Sequence, residues 1–197
     1  MSFNYIRFGA ICYIFKMKRK ASLAILAVSA ATGLFFYFGN PALTENSECL
    51  VKIQKKTVRG ISLSGLIEDN DTVKILFGFY NCNEIQREDI VAYKFSGNPE
   101  LVIKIVKGLP GDRFDLKKSG SAWQILINNE IVKNFSGNPY QLSDGSYNLL
   151  NLYVKDYQGI IPPNAYLILG NLAQGSLDSS RFGLVDKRGV AGKVLVL

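Results

Sequence analysis

The stretch ASLAILAVSAATGLFFYF, residues 21–38, carries no charged side chain. At 18 residues it meets the lower bound of the roughly 17–25 that a helix needs to cross a bilayer. Gly39, Asn40 and Pro41 follow and end a helix. Lys16, Lys18, Arg19 and Lys20 flank its start, and Phe35, Phe36, Tyr37 and Phe38 sit where an interfacial aromatic belt belongs. Positive charge stays on the cytoplasmic side. The expected organisation is therefore a basic cytoplasmic tail over 1–20, a transmembrane helix over 21–38, a linker over 39–48 and an extracytoplasmic domain over 49–197. A cleaved signal peptide starting at Met17 is the competing reading, with Ser29, Ala30 and Ala31 as small residues at a cleavage site. Apolar residues continue for seven positions past Ala31, which favours retention.

The net charge of +7 would fit a nucleic-acid partner, but its distribution argues against one. Residues 1–40 hold five basic residues and no acid, which leaves 18 basic against 16 acidic residues in the rest. The excess is thus a topology signal, and no nucleic-acid partner is expected. Histidine is absent, which removes Ser-His-Asp and Cys-His mechanisms and every histidine zinc site. Cys12, Cys49 and Cys82 form no CxxC pair, so no metal and no cofactor is expected. An outer location would expose Cys49 and Cys82 to oxidising conditions. They either pair or are two unrelated buried thiols.

The remainder reads as β structure. Strand candidates are 51–58, 72–80, 89–95, 101–107, 113–117, 122–127, 165–169 and 190–196, rich in Val, Ile, Phe and Tyr and separated by Gly, Pro, Asn and Asp. No window after Phe38 shows a long helical apolar period, and 137–159 reads as a polar surface excursion. Asn128–Glu130 reads as a hairpin turn. The expected class is mainly β, an antiparallel sandwich or partly closed barrel.

Three segments can carry chemistry. Ser62 lies in a Gly-Ser-rich loop after a strand, where small neighbours allow close backbone approach. Lys104 lies on a strand and shares a face with Val102 and Val106. It is either a snorkelling surface residue or a buried amine. The third segment is a strand ending at Gly170-Asn171, followed by a hydroxyl-dense loop through Ser176, Asp178, Ser179 and Ser180.

Together these segments resemble the boxes of the bacterial type I signal peptidases, membrane-anchored serine proteases with a Ser/Lys dyad. Against the nucleophile box G-x-S-M-x-P, then G-D-x-V, the chain has Gly60, Ser62, Asp71 and Val73 in register, with Leu63 for Met and Gly65 for Pro. Against K-R-V-x-G-x-P-G-D it has Lys104, Val106, Gly108, Pro110, Gly111 and Asp112. The segment from Arg87 to Tyr93 is similar to the strand between these two boxes. Against G-D-N and S-x-D-S-R-x-W-G it has Gly170, Asn171, Ser176, Asp178, Ser179 and Gly183, with Phe182 for Trp. The Asp of G-D-N is missing, Ser180 takes the Arg position, and Arg181 comes one residue late. The resemblance covers about residues 50–197. The compact size also looks similar to the pilin-maturing peptidases of conjugation systems.

The resemblance implies removal of signal peptides from exported preproteins by a monomer at the lipid bilayer of the inner membrane. Ser62 would be the nucleophile and Lys104 the general base. Ser176 would orient the amine, Asp178 and Arg181 would pair to hold the last loop, and the Ser62 N–H would face the oxyanion. Apolar Leu63, Ile67 and Phe79 would line pockets for small side chains of an extended substrate. An ordinary lysine titrates near pH ~10.4, so a base at neutral pH needs its pKa about 3 lower, worth ~4 kcal/mol, which burial without a counter-ion supplies. The alternatives are a pilin-processing peptidase with the same dyad, whose substrate would be a pilin precursor, and an inactive anchored β binding domain.

Overall fold

A computed structural model describes residues 50–96 and 100–197. The tail over 1–20, the expected transmembrane helix over 21–38 and the linker over 39–48 lie outside the described residues. Among the described residues no helix is long and apolar enough to cross a membrane.

Chain order gives β1 (Lys52–Thr57), β2 (Thr72–Phe77), β3 (Ile90–Lys94), β4 (Leu101–Gly108), β5 (Phe114–Ser119), β6 (Ala122–Ile127), β7 (Glu130–Ile131), α1 (Asp144–Asp156), β8 (Ala165–Leu169), α2 (Ser179–Phe182), β9 (Val185–Asp186) and β10 (Val190–Val196). Seven strands form one sheet in the order β1-β2-β10-β3-β4-β8-β9, and β5-β6-β7 form a second. Every described pairing within the two sheets is antiparallel. The expected mainly β, antiparallel class holds. The sheets stay open, with β1 and β9 at the edges of the larger one, and do not close into a barrel.

Strand positions follow the β-branched and aromatic runs. In β2, Val73 and Ile75 alternate inward while Thr72 stays exposed. The turn between β6 and β7 places Asn128 and Asn129 at φ 52° and 70°, the backbone of a two-residue hairpin, as its sequence implied.

The excursion over 137–159 contains a 13-residue helix, which corrects the reading of that segment as turn-rich coil. Ser143 caps it by accepting from the Ser146 N–H, and Asp144 adds a carboxylate to the first turn. Only Ser146 and Leu150 are fully buried on it, while Tyr153 and Val154 pack against the same cluster as Leu150. Part of its contact with the small sheet is aromatic. Tyr147 stacks on Trp123 at 3.6 Å, and Trp123 Nε1 donates to Asp144 at 3.0 Å.

Three apolar clusters fill the body. One joins the small sheet and α1 to β8 through Phe114, Ile125, Leu150 and Leu167. A second sets Val73, Ile75 and Val194 against Leu63 and Ile67 of the loop after β1. The third packs Val91, Val106, Tyr166 and Ile168. Leu63 and Ile67 are therefore core residues, 1% and 0% exposed, and do not line an open substrate pocket. Phe79 packs edge-on against Tyr80, its ring centroid 5.2 Å away, beside the third cluster. Cys82 is disulfide-bonded, while Cys12 and Cys49 lie outside the described residues.

Candidate active site

β4 carries Lys104 into the interior. The lysine stands opposite Val91 of β3 and is 3% exposed. The loop after β1 turns back through Ser62, and Leu63 and Ile67 sink into the core beneath it. This brings Lys104 Nζ to 2.8 Å from Ser62 Oγ. The amine also donates to the Ile103 carbonyl at 2.8 Å. No carboxylate pairs with it among the described residues.

Burial pushes the Lys104 pKa down from 10.5 to about 8, against an opposing pull from the Asp178 charge. Lys107, three residues on, is as deeply buried but holds Glu88 at 2.7 Å. The same strand thus carries one buried lysine with a counter-ion and one without.

Ser176 and Asp178 come from the loop after β8. The Ser176 hydroxyl donates to Asp178 at 2.5 Å, so its observed partner is the carboxylate and not the Lys104 amine. Asp178 is 1% exposed and also accepts from the Gly170 and Ser180 N–H groups, each at 2.9 Å. The expected Asp178–Arg181 ion pair is absent among the described residues. Arg181 is exposed, and only its main-chain N–H meets Asp178, at the carbonyl. The reason lies in α2. Asp178 is its N-cap, so the carboxylate turns toward main-chain donors of the first turn and away from the guanidinium.

Asn171, quoted above only as a motif match, lies between the loops and is 3% exposed. Its main-chain N–H donates to Ser62 O at 2.7 Å, and Nδ2 donates to Ser64 O at 2.8 Å. Gly170 makes this approach possible, since a Cβ there would stand 2.6 Å from Ser62 O and 2.4 Å from Ser176 Oγ. Tyr140 Oη donates to Gly170 O at 2.6 Å. No local pattern ties Tyr140 to the site, because the contact spans 30 residues of chain.

The lysine box has its own anchor. Arg87 grips both oxygens of Asp112 at 2.8 Å, and Asn128 Nδ2 and the Leu109 N–H add bonds to the same carboxylate. This fixes the turn after β4. No group of residues suited to hold a metal ion occurs among the described residues.

The family model for "Signal peptidase, peptidase S26" matches residues 42–197. This chain belongs to the signal peptidase family, peptidase S26. Signal peptidase IB of Staphylococcus aureus strain COL is 24% identical over 184 residues, covering 90% of this chain and 89% of that protein. The strain Mu50 protein gives the same figures. A crystal structure of a signal peptidase I from Enterococcus faecalis V583 is 23% identical, covers 58% of this chain and 97% of that one, and has a TM-score of 0.38. The chain is a type I signal peptidase, a serine endopeptidase that cleaves signal peptides.

Proposed function

We propose that Ser62 is the nucleophile of this signal peptidase and Lys104 its general base. The observation that carries this is a buried amine without a counter-ion, 2.8 Å from a hydroxyl. A serine needs a base to attack, and a neutral amine offers a lone pair for the proton. With a pKa near 8, about a tenth of the amines are neutral at pH 7.

Ser62 Oγ attacks the scissile carbonyl carbon as its proton passes to Lys104 Nζ. The carbonyl oxygen becomes an oxyanion beside the Ser62 N–H, which donates to no protein group among the described residues. The Lys104 ammonium then protonates the leaving amine as the C–N bond breaks, leaving an acyl-enzyme and a neutral lysine. Lys104 next takes a proton from water, whose oxygen attacks the ester, and Ser62 recovers its proton as the acid leaves. Ser62 is itself half-buried and its neighbour Ile61 exposed, so an extended segment can reach the hydroxyl from solvent.

Substrates are preproteins bearing signal peptides. In this proposal residues 21–38 anchor a monomer in the cytoplasmic membrane, with 1–20 inside and the catalytic domain outside. The nucleophile is thereby held near the membrane surface, where a signal peptide presents its cleavage site. Ser176 and Asp178 support the site from the far loop.

The test is preprotein cleavage by the full chain in detergent. Ser62→Ala and Lys104→Ala each abolish cleavage while the wild type cuts. Unchanged cleavage by either variant overturns the dyad.

A further inference from the structure

The loop that bears Ser62 is held in two ways. Leu63 and Ile67 sink into the core, which sets its depth. Apolar contact is not directional, so depth alone leaves the loop free to slide and turn. Its internal bonds, such as Ser64 N–H to Ile61 O at 3.0 Å, give the turn its shape but do not tie it to its neighbours. A hydroxyl 2.8 Å from its base needs such a tie, because misplacement of reacting groups by about 1 Å costs on the order of 100-fold in rate.

Asn171 supplies it. All four of its polar groups are engaged across loops. The main-chain N–H and Nδ2 hold Ser62 O and Ser64 O at 2.7 and 2.8 Å. Oδ1 accepts the Phe135 N–H at 2.8 Å, and the main-chain carbonyl accepts Asn134 Nδ2 at 2.8 Å. Glycines flank the contact. A Cβ on Gly65 would sit 3.3 Å from Asn171 Nδ2, and Gly170 leaves the gap described above.

The side chain must donate on one side and accept on the other. Only an amide does both in this geometry; a carboxylate would turn an oxygen toward the Ser64 carbonyl.

We propose that Asn171 is a positioning residue for catalysis, whose amide pins the Ser62 loop to the 134–138 loop and so sets the hydroxyl and N–H of Ser62 against Lys104. The inference rests on Ser62 being the nucleophile.

The test is steady-state cleavage of a preprotein by the full chain in detergent, with Ser62→Ala alongside. Asn171→Ala is expected to lower kcat by about 10- to 100-fold with KM within about twofold. The acid limb of its pH profile should stay in place, because Lys104 remains buried. Asn171→Asp is expected to lose at least as much kcat, and its new charge should move that limb to higher pH. Asn134→Ala removes the bond to the Asn171 carbonyl, together with the one that Asn134 Oδ1 accepts from the Asn138 N–H, at a less buried position and should lower kcat severalfold. It decides the matter if neither Asn171 variant folds.

An inactive Ser62→Ala with kcat within about threefold of wild type in Asn171→Ala overturns the inference and leaves the dyad standing. A loss confined to KM, or one that follows the folded fraction, overturns it equally. An active Ser62→Ala removes the nucleophile assignment itself.

Discussion

Lys104 Nζ lies 2.8 Å from Ser62 Oγ, although 42 positions separate the two residues in the chain. One stands on a central strand, and the other on a loop whose apolar residues are sunk in the core. Packing sets the depth of each, and hydrogen bonds from Asn171 to Ser62 O and Ser64 O tie the loop across to its neighbour.

The rate should follow the neutral fraction of Lys104. Burial sets its pKa at about 8, so log(kcat/KM) should rise with unit slope below that pH and level off above it. A profile measured on a preprotein between pH 5 and 10 checks this. A plateau beginning near pH 6 contradicts it.

Stability should carry the same signature. The folded-state pKa of Lys104 lies below the ordinary 10.5, so the folded chain binds fewer protons than the unfolded one. The penalty is complete below pH 8 and disappears as pH rises through 10.5. The interval corresponds to about 3 kcal/mol. Lys104→Met should therefore be more stable than wild type at pH 6–7 by up to about 3 kcal/mol, with the advantage shrinking between pH 8 and 10.5. Denaturant melts at several pH values read this directly.

Asp178 pulls the other way on Lys104 while holding its own loop. Asp178→Asn removes the charge, so the acid limb of the pH–rate profile should move to lower pH. Asp178→Ala leaves the Gly170 and Ser180 N–H groups without their acceptor and should cost about 2–4 kcal/mol of stability.

Arg181 should matter little. Its side chain is exposed and makes no bond to Asp178. Arg181→Ala is expected to leave cleavage within about twofold and stability within about 0.5 kcal/mol. A loss of activity comparable to that of the Asp178 variants would restore the ion pair as a working contact.

Eight of the ten described strands were legible as short runs between turn residues, and the hairpin because Asn128-Asn129 suits positive φ, whereas β7 and β9 are two residues long and leave no such run. The helix over Asp144–Asp156 was hidden because its inward residues Tyr147, Leu150, Tyr153 and Val154 span only two turns of a polar, turn-rich segment. Motif spacing pointed to Ser62, Lys104, Ser176 and Asp178. Burial of Lys104 could not be read from alternation, because β4 loses its alternation after Ile103 and is covered on both faces. The Asp178–Arg181 pair was expected from charge and nearness in the chain, but the N-cap geometry takes the carboxylate elsewhere. Tyr140, Asn134 and the Asn171 clamp depend on contacts of 30 to 107 positions, which leave no local trace.

The most direct measurement is a carbon NMR titration of the Lys104 Cε in the full chain in detergent, assigned by comparison with Lys104→Arg. The expected midpoint is near pH 8. A midpoint at the ordinary lysine value, with the amine charged throughout the active range, would contradict it.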